Sequence, residues 1–216
     1  MLYSLVIFDL DGTLVDSVPW FRRHVNDVAD RFGFRRVEDG DVEMLRHAST
    51  REILAHLEVP LWKLPLIARY TRRLKAEHAA HIPLFAGVDI MLRSLREAGL
   101  VLALVSSDSE RNARERLGPL AALFSHYDCT AAVFGKPQKF RRVLRRAGVD
   151  AAAAISIGDE TRDIEAARAA GIACGAVTWG YAAAPALHAL APDHVFEGMD
   201  DITRALVASD AVRRSG

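Results

Sequence analysis

Only two cysteines, Cys129 and Cys174, occur in the 216 residues. They form no CxxC pair, which excludes a disulfide framework and a thiolate metal site as organising features. Each stands among alanines and reads as a small buried hydrophobe, in keeping with a reducing compartment. Charge of one sign is missing as well: 28 basic residues balance 28 acidic ones, leaving no overall field for non-specific nucleic-acid binding. No apolar run approaches the roughly 20 residues of a membrane-spanning helix. Met1 to Phe8 carries no basic segment and reaches Asp9 after a handful of apolar residues, too short for a signal sequence. The expectation is a cytoplasmic protein with neither a nucleic-acid nor a membrane partner. The sequence does not fix an oligomeric state, and a monomer is compatible with it. Lysine is scarce, four residues against 24 arginines, so each lysine stands out.

What is present is ordinary for a globular protein, 50% apolar and 26% charged, at a length that suits one domain carrying an insertion. Five short apolar runs, Leu5 to Phe8, Val101 to Val105, Thr130 to Val133, Ile155 to Ile157 and Ile172 to Val177, each precede a stretch of helical period. That alternation is the pattern of βα units in a parallel sheet, and near-continuous apolar strands imply helices on both faces. The fold class is α/β. Helices are expected over Val88–Ala98, Ser109–Leu117, Lys139–Ala147 and Thr161–Ala170, with Gly99, Gly148 and Gly171 as stops, and a last one after Asp200. The tail Val212 to Gly216 is expected to fray. From Asp16 to Phe85 the chain shows helical period and no convincing strand, far more than a crossover needs. It therefore reads as an inserted helical subdomain. Ser49-Thr50-Arg51-Glu52 has capping-box spacing for a helix ending before Pro60, and another helix spans Leu64 to His81.

Chemistry gathers where strands end. Asp9-Leu10-Asp11-Gly12-Thr13 follows the first strand, and Gly158-Asp159-Glu160-Thr161-Arg162-Asp163 follows the fourth. In an open α/β sheet the working crevice lies at the carboxyl ends of the strands. A DG turn explains Asp11 and helix capping explains Asp159, but capping accounts for one acid and not for three. Acids drawn together from two strand ends repel, and a hard divalent cation, Mg²⁺, is the natural remedy. Ser106-Ser107 and Gly135-Lys136-Pro137 supply a hydroxyl and a cation at two further strand ends, suited to a phosphate. A serine N-cap and a solvated turn lysine are the plain alternatives.

These four segments resemble, in order and over almost the whole chain, the motifs of the haloacid dehalogenase superfamily. The insertion resembles the helical cap of its phosphoglycolate phosphatase-like members. The resemblance implies a Rossmann-like core over residues 1–15 and 86–216 and a cap over 16–85. It implies an Mg²⁺-dependent phosphomonoesterase acting on a small phosphorylated metabolite, phosphoglycolate foremost, through an aspartyl-phosphate on Asp9. Asp11 would be the general acid and base. Asp9, the Asp11 carbonyl and Asp159 would hold Mg²⁺, with Glu160 and Asp163 around them. Ser106, Ser107 and Lys136 would bind the phosphoryl group, Lys136 also stabilising its charge. An acid at Asp11 sets the chain apart from the carbon-attacking dehalogenases. Two departures stand out: Ser107 replaces a commoner Asn, and Lys136-Pro137-Gln138-Lys139 lacks a second proline. Leu45 to Glu52 resembles the cap's specificity loop, with His47 in place of a usual Gly. Arg46, His47 and Arg51 are its candidates for an anionic leaving group, set against an ordinary solvated helix start.

Two other functions share this pattern. A phosphomutase would pass the phosphoryl group to a second hydroxyl, and a silent phospho-ligand-binding protein would lack a catalytic acid, whereas all of them are present. Arg141, Arg142, Arg145 and Arg146 read as a solvated helix face, and His78 with His81 lacks a third ligand for zinc. Trp20, Phe21, Trp62 and Tyr70 are expected to pack the insertion's core, and Trp179 and Tyr181 to pack or line the site.

Overall fold

The computed structural model describes residues 2–129 and 135–207. Strands β1 (Leu5–Phe8), β2 (Val101–Ser106), β3 (Phe124–Cys129), β4 (Ala154–Gly158), β5 (Ala173–Val177) and β6 (His194–Phe196) form one parallel sheet in the order β3-β2-β1-β4-β5-β6. The helices are α1 (Val18–Phe32), α2 (Asp41–His47), α3 (Thr50–His56), α4 (Leu64–Glu77), α5 (Val88–Glu97), α6 (Glu110–Leu117), α7 (Lys136–Ala147), α8 (Thr161–Ala170), α9 (Ala184–Ala189) and α10 (Met199–Val207).

Alternation along β1 explains why its sequence is apolar throughout. Val6 and Phe8 pack into a core with α5, α6 and α10, whereas Leu5 and Ile7 pack into a second core with α7, α8 and α9. All four are fully buried, because a strand covered on both faces has no side for polar residues.

The edges behave differently. The expected strand Thr130–Val133 lies outside the described residues. The strand beside β2 is Phe124–Cys129, in which Ser125 is exposed and His126 half-buried. As an edge strand it tolerates the polar residues that hid it. β6, at the other edge, is only three residues long and too short to show a period. α7 starts at Lys136, three residues earlier than expected, because Pro137 suits a first helical turn. Lys136 is therefore a helix residue and not a turn lysine. The fifth strand begins at Ala173 rather than Ile172. Helix stops at Gly148 and Gly171 are left-handed caps.

Between β1 and α5 the chain is helical, and it leaves and rejoins the sheet through a narrow neck. Asp16 N donates to Pro83 O and Phe85 N to Leu14 O, each near 3 Å (2.9 and 3.0 Å), with Val15 bridged antiparallel to Leu84. The Ser49–Glu52 capping box opens α3, which ends at His56. α4 stops at Glu77, and the remainder to His81 is a 3₁₀ turn. Trp20 is buried and Tyr70 packs edge-on against Phe32, but Trp62 is 71% exposed and Phe21 39% exposed, so neither serves the core as expected. Of the four α7 arginines, Arg141, Arg145 and Arg146 are exposed as a solvated face requires, and Arg142 is half-buried. Arg142 grips the buried Asp128 with two hydrogen bonds of 2.7 and 3.0 Å, Arg146 bonds Tyr127 O, and Arg141 bonds Ala169 O.

Phe8 meets Phe124 edge-on in this core. Phe8→Ala is expected to destabilise the fold by about 3–5 kcal/mol, read as a lowered denaturation midpoint with an unchanged m-value.

Candidate active site

The strand order reverses between β1 and β4, and the crevice at such a switch point lies at their carboxyl ends. Asp9 follows β1 directly and extends its ladder, donating from its amide to Ile157 O at 2.9 Å. Asp159 follows β4, and Asp163 sits in the first turn of α8. Carboxylate oxygens of Asp9, Asp159 and Asp163 lie within 4.8 Å of one another, all three residues buried.

Lys136, from the first turn of α7, bridges two of them: its Nζ donates to Asp9 Oδ1 at 2.7 Å and to Asp163 Oδ1 at 2.6 Å. Burial opposes charge on this lysine, but the two carboxylates prevail and hold it well above the usual lysine range. Burial pushes Asp9 up to about 6, Lys136 pulling it down and Asp163 adding to the rise. Burial acts on Asp163 too, yet Lys136 and Arg162 outweigh it and keep that carboxyl low. Its Oδ2 accepts from the amides of Asp159 and Glu160, both at 3.1 Å. Asp159 accepts from Thr13 Oγ1 at 2.9 Å and from the Tyr181 amide at 2.8 Å. Burial, then the charges of Glu160, Asp163 and Asp9, push it well up. The N-cap of α8 is Glu160, which forms a reciprocal capping box with Asp163. Capping is thus done by Glu160, and Asp159 points elsewhere.

The arrangement fits a divalent cation. Four acids, Asp9, Asp159, Glu160 and Asp163, face two cations, Lys136 and Arg162, and the donors are all oxygen, the preference of a hard ion. The backbone closes tightly on Asp159: a Cβ at Gly12 (φ +77°) would stand 2.2 Å from its Oδ2, and one at Gly180 would stand 2.3 Å from its Cβ. Only glycine permits both approaches.

Asp11 belongs to a second cluster. Its Oδ2 accepts from Lys75 Nζ, which reaches in from α4 and also stands 3.1 Å from Asp108 Oδ2. Arg116, on α6, lies 3.9 Å from each carboxylate and donates to Lys75 O at 3.2 Å. Burial raises the Asp11 carboxyl, but Lys75 and Arg116 overcome that and hold it below the usual range. Asp108 is fixed by the Ser109 amide at 2.7 Å and Asn112 Nδ2 at 2.9 Å, and its own amide donates to Ser106 Oγ at 3.0 Å. Ser106 closes β2 and is buried, with its hydroxyl hydrogen left to donate, while Ser107 is exposed. The Ser106 carbonyl accepts from the buried Lys139 at 2.7 Å. The helix cap in this loop is Ser109.

The residues of the expected specificity loop lie apart from this cluster. Arg46 Nε donates to Tyr181 O at 3.3 Å, and its carbonyl accepts from Ala183 N at 2.8 Å, which ties α2 to the segment after β5. His47 pairs with Glu43 at 3.1 Å, and Arg51 is exposed. Tyr181 bonds Ser17 at 3.0 Å and Trp179 donates to Thr13 O at 3.2 Å, so both brace the loop that follows Asp11. The sequence reading passed over Lys75, Asp108, Arg116 and Lys139. Lysine scarcity singled out Lys136, and the same reasoning points to Lys75 and Lys139, two more of only four lysines.

A cation favours the ionised form of Asp9, whose carboxyl burial pushes up to about 6. Divalent-cation affinity is therefore expected to rise with pH through about 6, where Asp9 ionises. Calorimetric titration across pH 5–8 measures this slope. With the cation absent the sign reverses: the folded state holds a proton on Asp9 that the unfolded chain releases near 4, so this group's contribution to stability fades from about pH 4 to 6 and is lost above.

A family model described as haloacid dehalogenase-like hydrolase matches residues 6–177. The phosphoglycolate phosphatase of Synechococcus elongatus is 34% identical over 204 residues, 93% of this chain and 96% of that one. The phosphoglycolate phosphatase of Chromobacterium violaceum is 32% identical over 85% of this chain and 89% of its own. Among solved structures, one described as a predicted phosphatase from Clostridium acetobutylicum superposes with a TM-score of 0.81 at 20% identity, covering 96% of this chain and all (100%) of that one.

Proposed function

The chain belongs to the haloacid dehalogenase-like hydrolases and is a phosphatase, and on that premise we propose that it hydrolyses phosphoglycolate with Asp9 as nucleophile and Mg²⁺ as cofactor. One observation carries this reading: Asp9, Asp159 and Asp163 converge with Lys136 at the ends of β1 and β4, with Asp11 two residues beyond the nucleophile. The curated relatives supply the substrate by their names. Among the described residues no helix is long and apolar enough to cross a membrane, in keeping with a metabolic enzyme of the cytoplasm.

Asp9, the Asp11 carbonyl and Asp159 would hold the ion, with Glu160 and Asp163 ordering them. When bound, the ion neutralises phosphate charge and orients the nucleophile. Lys136 holds Asp9 Oδ1, which leaves Oδ2 to attack phosphorus in line. As that bond forms, the ester P–O bond breaks and the leaving oxygen takes a proton from Asp11. A water then attacks the phosphoryl group on Asp9, yields its proton to Asp11, and breaks the Asp9–phosphorus link to release orthophosphate. The Lys75 and Arg116 charges keep Asp11 ionised in the arrangement seen here, the state the second step needs; for the first step Asp11 turns from these cations and takes up a proton from solvent before the ester P–O bond breaks. Ser106 donates its hydroxyl to the phosphate, and Lys136 balances its charge. Residues 16–85 act as a cap over a core of residues 1–15 and 86–216, moving about the paired neck at Leu14–Asp16 and Pro83–Phe85.

Hydrolysis of p-nitrophenyl phosphate and of phosphoglycolate is expected with Mg²⁺, lost with EDTA, and lowered about 10³-fold or more in Asp9→Asn. Undiminished release of orthophosphate by that variant would remove Asp9 from the mechanism.

A further inference from the structure

The guanidinium of Arg116 is one of several buried charged groups here with atoms that lack a hydrogen-bond partner, Asp108 Oδ2 and Arg162 Nε among them. The Arg116 side chain is 2% exposed. Among the described residues its Nε and Nη1 have no hydrogen-bond partner, and neither does Asp11 Oδ1, the oxygen that faces Nη1 across 3.9 Å. Buried polar atoms are seldom left unbonded, and a charged group least of all, so orphans that face one another point to a ligand. Lys75 stands on the far side of the same carboxylate.

We infer that Lys75 and Arg116 form the receptor for a carboxylate borne on the ester carbon of the substrate. This rests on the phosphatase reading above and adds to it the residues that choose the leaving group. Asp11 meets the leaving oxygen, and Oδ1 is its oxygen without a hydrogen bond, paired only at 3.9 Å with Arg116 Nη1. A leaving oxygen at hydrogen-bond distance from Oδ1 and an acceptor at the same distance from Nη1, side by side, stand about 3–4 Å apart. That is the spacing of an alcohol oxygen and the carboxylate oxygens on the adjacent carbon. An anion one carbon further along reaches the guanidinium only by freezing an extra torsion in a folded form, which costs binding. Charge agrees with geometry. Asp108 accepts from the Ser109 amide and Asn112 through Oδ1, while its Oδ2 faces Lys75 at 3.1 Å and Arg116 at 3.9 Å and offsets one of the two cations. Asp11 must turn to the substrate, so the second cation gains its counter-charge from the incoming carboxylate. The arginines of the expected specificity loop do not compete for this role: Arg46 is spent on Tyr181 O, and Arg51 lies exposed.

The test compares phosphoglycolate, ethyl phosphate, which lacks the carboxylate, and 3-phosphooxypropionate, which carries it one carbon further out. The wild type is expected to prefer phosphoglycolate to both in kcat/KM. In Arg116→Met the phosphoglycolate to ethyl phosphate ratio falls by about tenfold or more, chiefly through KM, and Arg116→Lys recovers part of it. A wild type with no such preference overturns the receptor, as does an Arg116→Met variant that slows both esters alike. The same ligands titrated calorimetrically into Asp9→Asn, with and without Arg116→Met, give a readout independent of turnover. A weakening confined to phosphoglycolate supports the receptor, and equal weakening refutes it. If wild type hydrolyses no ester at all, the phosphatase reading fails, while the binding difference still decides the fate of the receptor.

Discussion

Lys136 is the cation that allows two buried carboxylates, Asp9 and Asp163, to lie side by side at the mouth of the sheet. Bringing ionised acids out of water is costly, and like charges at this range raise each other's pKa. One ammonium placed between them offsets both effects without hiding the outer oxygens. Much of the fold serves that placement. β1 and β4 are neighbours, so Asp9 and Asp159 emerge together. α7 begins at Lys136, so the lysine rises from a fixed helical turn. Gly12, Gly158 and Gly180 let backbone approach the carboxylates closer than a Cβ allows.

The second cluster extends the same electrostatics to the insertion. Lys75 on α4 is far from the sheet in sequence, yet its ammonium ends on Asp11 and Asp108, and its carbonyl is held by Arg116. Charge-assisted bonds therefore join the insertion to Asp11 and Asp108, and Arg46 and Ser17 add polar links to the Tyr181 segment. Whatever displaces Lys75 from Asp11 loosens one of these ties.

The readable parts of the chain were those whose chemistry is local. Leu5–Phe8 and Ala154–Gly158 announce strands because they are buried on both faces, and Ser49–Glu52 announces a helix start because the capping box closes within four residues. Phe124–Cys129 was hidden because an edge strand keeps polar residues, and α7 starts three residues before the expected Lys139 because Pro137 is accepted in a first helical turn. Asp159 looked like an N-cap, a role that Glu160 takes one residue later.

By itself the sequence determined the α/β class, the placement of paired acids at strand ends and the candidates Asp9, Asp11, Ser106, Lys136 and Asp159. Each of these follows from short-range patterns, and strand ends deliver side chains to one edge whatever the loops do. The tertiary structure alone decided that Lys75, Arg116 and Asp108 surround Asp11, and that Arg46, His47 and Arg51 do not. The reason is physical: a long cationic side chain is aimed by the packing of its helix against a distant loop, and no local period records where its charge will end.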